Sequence, residues 1–97
     1  MKSASVSEIR QFNLQQPVNA TLVDGERVCV HAWHFEAGQE LAPDPAEAAY
    51  HVLEGELRFT QGAETLRLAK GNVLVGAPER IDNPSGGLAV VLVTTSK

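Results

Sequence analysis

Glycine and proline interrupt this chain at short intervals, and no other feature constrains its fold as much. Pro17, Gly25, Gly38, Pro43, Pro45, Gly55, Gly62, Gly71, Gly76, Pro78, Pro84, Gly86 and Gly87 leave only short runs between them. Short runs between turn signals at this spacing predict an all-β sandwich or barrel. The runs carry the residues that strands favour. Arg27 to Glu36 reads as one strand, and Ala20 to Val23 pairs with it across Asp24-Gly25. An Asp-Gly pair suits a type I′ turn, in which both central residues take positive φ. Leu57 and Phe59 alternate with Arg58 and Thr60, and Leu66 and Leu68 with Thr65 and Arg67. With Gln61-Gly62-Ala63-Glu64 between them, they predict a second hairpin with one apolar and one polar face. Leu88 to Thr94 is a nearly continuous apolar run and predicts a strand covered on both faces. Only Ala46 to Ala49 hints at helix, and Pro43 and Pro45 just before it confine that to a turn.

The 97 residues are read as one domain, 1–97. Within it, Ser3 to Asn13 fits either a first edge strand or a loose arm, and the pattern leaves both open. An apolar content of 43% is too rich for a disordered chain. The net charge is −4, and Lys2, Arg10, Arg27, Arg58, Arg67, Lys70, Arg80 and Lys97 are scattered. No basic run exists to neutralise phosphates, so nucleic acid is not an expected partner. No apolar run approaches the ~20 residues that span a bilayer as a helix, so no membrane partner is expected. Met1 to Gln16 is mostly polar and lacks the apolar segment of a signal peptide, so the expected address is the cytoplasm. The single cysteine, Cys29, lies between Val28 and Val30 and is expected as a buried free thiol.

Four segments, in order along the chain, resemble the small single-domain cupins. They are Gly38 after Trp33-His34-Phe35-Glu36-Ala37, Val52-Leu53-Glu54-Gly55, Leu68-Ala69-Lys70-Gly71-Asn72-Val73, and Asn83-Pro84. The likeness covers roughly Val28 to Thr94. It implies a cupin-type (jelly-roll) β-barrel of two antiparallel sheets, with three histidines and a glutamate holding a divalent metal inside. Here the two histidine positions of the first motif fall on Ala42 and Asp44, its glutamate position on Ala48, and the histidine position of the second motif on Glu79. Redox-active metals want imidazoles, whereas an oxygen-rich set such as Asp44, Glu79 and Glu47 suits weakly held Mg or Ca. Glu47 also stands one residue away from the ligand position, which on a strand turns it to the other face. The expectation is therefore a barrel with no bound metal and no cofactor.

The histidines take different faces. His31 shares one with Cys29, Trp33 and Phe35; His34 shares the other with Val28, Val30, Ala32 and Glu36; His51 points outward if Ala48 points in. The pocket candidates are His31, Trp33, Asp44, Tyr50 and Glu79. Tyr50 and Val52 form one wall, His31 and Trp33 the facing one, and Asp44 and Glu79 the mouth. Two carboxylates at one mouth repel, which disfavours an anionic ligand and favours a neutral or cationic polar one. The leading expectation is a metal-free cupin that binds a small polar organic molecule or serves as an accessory module. The alternatives are an isomerase, epimerase or oxygenase with an atypical His/carboxylate site, and a structural dimeric module. Arg27 to Glu36 and Leu88 to Val93 are apolar on both faces, while a barrel has one interior; a homodimer is expected to cover the second.

Overall fold

The structure, a computed structural model, describes all 97 residues and has nine strands. They are β1 (Val18–Asp24), β2 (Val28–Phe35), β3 (Glu40–Leu41), β4 (Ala48–Glu54), β5 (Glu56–Gln61), β6 (Glu64–Ala69), β7 (Val73–Gly76), β8 (Arg80–Asp82) and β9 (Ala89–Ser96). All pairings are antiparallel. One sheet runs β1-β2-β9-β4-β7 and the other β3-β8-β5-β6. The helical residues amount to one 3-10 turn, Ser7–Ile9. Ala46 to Ala49 is not helical but leads into β4. No helix is long and apolar enough to cross a membrane.

Alternation puts one side chain of each pair between the sheets. Phe35, Ala48, Tyr50, Val52, Leu57, Phe59, Ile81, Ala89, Val91 and Val93 form the core, with the Tyr50 and Phe59 rings edge to face at 5.5 Å. Each such large aliphatic or aromatic side chain contributes roughly 1.5–3 kcal/mol by leaving water. The chain passes from one sheet to the other at Gly55, between β4 and β5. Gly55 takes φ 73°, and a Cβ there would collide with the Leu88 carbonyl. Both the dihedral and the close approach require glycine. Asn83 pins the loop between β8 and β9. Its Nδ2 donates to the carbonyls of Glu36 and Gly87, at 3.2 and 2.7 Å, and its Oδ1 accepts from Ser85. Arg58 on β5 grips Asp82 on β8 with Nε and Nη2, at 3.1 and 2.7 Å. The motif residues that carried the cupin resemblance thus have structural work in this chain.

The first hairpin differs from its expected form. The ladder continues through Asp24, which pairs with Cys29, and neither Asp24 nor Gly25 takes positive φ. The reversal falls on Glu26-Arg27, closed by the Gly25 N–H donating to the Val28 carbonyl at 2.9 Å. An Asp-Gly pair makes a I′ turn only if the register centres it, and this register does not. Gly25 serves close packing instead, since a Cβ would lie 2.9 Å from the Val28 carbonyl oxygen. Leu22 is the extra residue of a bulge, because Thr21 pairs with His31 but Val23 with Val30. At the second hairpin Gln61 pairs with Glu64, and Gly62 supplies the positive φ, 59°, that a II′ turn needs first.

Residues 1–17 form no strand, so the arm is the form this segment takes. It lies over the outer face of the five-stranded sheet. Phe12 meets His34 edge on at 5.3 Å, Arg10 pairs with Glu54 at 2.6 Å, and the Asn13 carbonyl accepts from Gln39 Nε2. Part of the outer cover expected from a second copy therefore comes from the same chain. Val28, Val73 and Val75 on that face remain 47%, 63% and 63% exposed. Cys29 is a free thiol, half-buried rather than buried, because it sits near the open end of β2.

Candidate functional site

Between the sheets lies a cavity of about 480 Å³. Its floor comes from the inward side chains of the large sheet. His31, Val93 and Tyr50 stand in one row across β2, β9 and β4. Two strand spacings separate His31 from Tyr50, about 10 Å at the backbone. Trp33 lies beside His31 along β2, and Leu41 and Ile81 close the cavity from the other sheet. The β3–β4 loop forms the mouth, where Ala42, Asp44 and Ala46 are exposed. This size is ordinary for a small-molecule site.

Four of the five predicted residues, His31, Trp33, Asp44 and Tyr50, line this one space. Glu79 does not. It is exposed, and its Oε1 accepts from the Gly62 N–H at 3.0 Å, at the β5–β6 turn. Ile81, two residues further on, lines the cavity instead. The expected carboxylate pair at the mouth is thus a single carboxylate, because a nearby backbone N–H gives Glu79 another partner. Glu47 lines a separate, smaller cavity of about 250 Å³, bordered by Phe59 and Leu74.

Asn19 is one of the polar lining residues that sequence reasoning missed, with Thr95 and Ser96. Its Oδ1 accepts from His31 Nδ1 at 2.8 Å. Asn19 and Thr21 alternate with Val18 and Ala20, which marks β1 as two-faced, but only the register places Asn19 against Trp33 and His31. The bond fixes the tautomer: the proton sits on Nδ1, and Nε2 keeps its lone pair. Burial lowers the His31 pKa from its ordinary 6.5, and the charge of Asp44 opposes this in part. Burial likewise raises the Tyr50 pKa, and Asp44 adds to the rise. Both neutral forms are therefore favoured, and Asp44 is the charge that both groups sense. Thr95 and Ser96 add hydroxyls at the end of β9.

The residues do not fit the metal centre that the resemblance implies. Only His31 and Asp44 on the cavity lining are of ligand type, and no three His, Cys, Asp or Glu side chains in the chain lie close enough together to hold an ion. What the arrangement offers is a neutral imidazole acceptor, a phenol, an indole, hydroxyls and one carboxylate around a mostly apolar space.

No family model matches this chain, and neither does any curated protein. Solved structures do match. It is similar to the Thermus thermophilus protein TT1209, at 24% identity and TM-score 0.86, over 99% of this chain and 97% of that one. An RmlC-like cupin protein from Desulfovibrio desulfuricans is 28% identical with TM-score 0.77, over 96% and 95%. A conserved Klebsiella pneumoniae protein with a double-stranded β-helix domain is 20% identical with TM-score 0.80, over 95% and 86%. Two antiparallel sheets joined at Gly55, the interior cavity between them and these likenesses agree: the chain is a small protein of the cupin fold.

Proposed function

We propose that this cupin holds a small polar organic molecule inside its barrel, without a metal ion, as a binding or accessory protein of the cytoplasm. The observation that carries the reading is the cavity of about 480 Å³ where His31, Trp33, Asp44 and Tyr50 converge. A roomy space with a few polar groups takes water or a ligand. A melting-temperature screen of small polar compounds on wild type, His31→Ala and Tyr50→Phe tests it, with Glu79→Gln as the control away from the cavity. Hits should shift wild type and Glu79→Gln alike and should weaken in the other two. Hits that shift all four equally place binding elsewhere. Metal analysis of protein purified without a histidine tag tests the other half. Near one equivalent of Fe, Mn, Ni or Zn surviving dialysis would overturn it.

His31 favours a second reading, proton transfer in an enzyme of the isomerase or epimerase type. A neutral imidazole whose Nδ1–H is held by Asn19 presents Nε2 as a general base. Substrate-dependent exchange of a carbon-bound proton with deuterated water, lost in His31→Ala, is the result that would favour it. A homodimer through the outer face of the five-stranded sheet goes with either reading, supported by the exposed Val28, Val73 and Val75. A sedimentation mass near 10.4 kDa at micromolar concentration would count against the dimer.

A further inference from the structure

We infer that the interior cavity selects a protonated amine on a small apolar or aromatic body, with Asp44 as its counter-ion and the Trp33 and Tyr50 rings as its walls. The inference rests on the reading of this cavity as a ligand site. Its first support is the charge of the lining. Asp44 is the one carboxylate there, and neither lysine nor arginine is present to balance it. His31 does not balance it either, because burial disfavours its protonated form. An anion would meet an uncompensated negative charge, and a neutral ligand would leave that charge unused.

The second support is the hydrogen-bond inventory. The Asp44 carboxylate and His31 Nε2 accept only, while the Tyr50, Thr95 and Ser96 hydroxyls accept or donate; the Trp33 indole N–H and the Asn19 Nδ2 amide are the side-chain donors without acceptor capacity. A lining rich in acceptors fits a ligand rich in donors, and an ammonium group is all donor. The third support is aromatic. Cations are drawn to indole and phenol faces, and Trp33 and Tyr50 flank the same space into which Asp44 projects its field. The apolar remainder of the lining, including Ile81 and Val93, suits the body that carries the amine.

Three probes of one shape separate the possibilities: benzylamine, benzyl alcohol and benzoate, as cation, neutral and anion on a common frame. Calorimetric titrations at neutral pH use wild type, Asp44→Asn and Trp33→Leu, each at low and high salt. Asp44→Asn keeps the shape of an exposed side chain and so keeps the fold. The expected order in wild type is amine, then alcohol, then acid, with about a tenfold preference for the amine over the alcohol, the size of one charge-assisted contact. Asp44→Asn should erase that preference while leaving the alcohol unchanged, and salt should weaken it because Asp44 is at the mouth. Trp33→Leu should weaken the amine more than the alcohol. Alcohol binding as tight as amine in wild type, or a preference that survives Asp44→Asn, would overturn the amine assignment and leave the cavity a ligand site. No binding of any of the three would overturn the ligand-site reading itself.

Discussion

β2 sends two histidines to opposite faces of one sheet, and their surroundings differ in every respect that matters for chemistry. His31 is half-buried and lines the cavity, with Nδ1 on the Asn19 side chain. His34 is fully buried, with Nδ1 on the Val18 carbonyl, Nε2 without any partner, and the Phe12 ring edge on at 5.3 Å. A buried polar atom left unpaired costs about 1–3 kcal/mol. The fold carries that cost on the outer face, where the arm seals His34 in, and leaves His31 accessible on the inner face. The residue type alone does not mark a site; the cover over it does.

The largest effect should come from the sealed side. His34→Ala removes a fully buried ring and strands the Val18 carbonyl, so stability should fall by roughly 2–4 kcal/mol in urea unfolding. Near-wild-type stability would mean that the outer histidine is not packed as described. Phe12→Ala is next. It opens the cover at a half-buried contact and should cost roughly 1–2 kcal/mol. It should also change which imidazoles react with an acylating reagent. By mass spectrometry, wild type should modify at His31 and not at His34, and Phe12→Ala at both. Equal reaction of the two in wild type would erase the contrast.

A smaller effect lies in the pH dependence. Burial depresses the folded His31 pKa below the ordinary 6.5, with Asp44 opposing. Between the two values the unfolded chain binds more protons than the folded one. Stability is therefore full above about 6.5, the unfolded value, and declines as pH falls through the lowered folded value. That acid-side decline should flatten in His31→Ala, and an identical pH profile in the variant would remove the basis for a neutral His31. The smallest effect is expected from His31→Ala at neutral pH. A half-exposed cavity side chain should change stability by no more than about 0.5 kcal/mol. A loss as large as that of His34→Ala would make His31 a packing residue as well.

Much of this fold was readable along the chain. The Gly and Pro spacing and the alternation in Leu57, Phe59, Leu66 and Leu68 require only that strands show one face to the core. Three of the five cavity candidates rest on the same parity, because His31, Trp33 and Tyr50 each occupy inward positions on strands, while Asp44 on the β3–β4 loop rests on the motif spacing of the resemblance. Glu79 was misplaced because its strand contributes few residues, Arg80–Asp82, and the carboxylate just before it answers to Gly62 on another hairpin.

Period and punctuation were enough to specify an all-β fold, the apolar faces of its strands and a turn at Gly55, since each is a property of neighbouring residues. They carried no information on the Leu22 bulge, the register that sets Asn19 against His31, or the arm that lays Phe12 over His34. Each of those joins residues that only folding brings together. Their energies are differences between competing long-range pairings, and the folded structure alone selects among them.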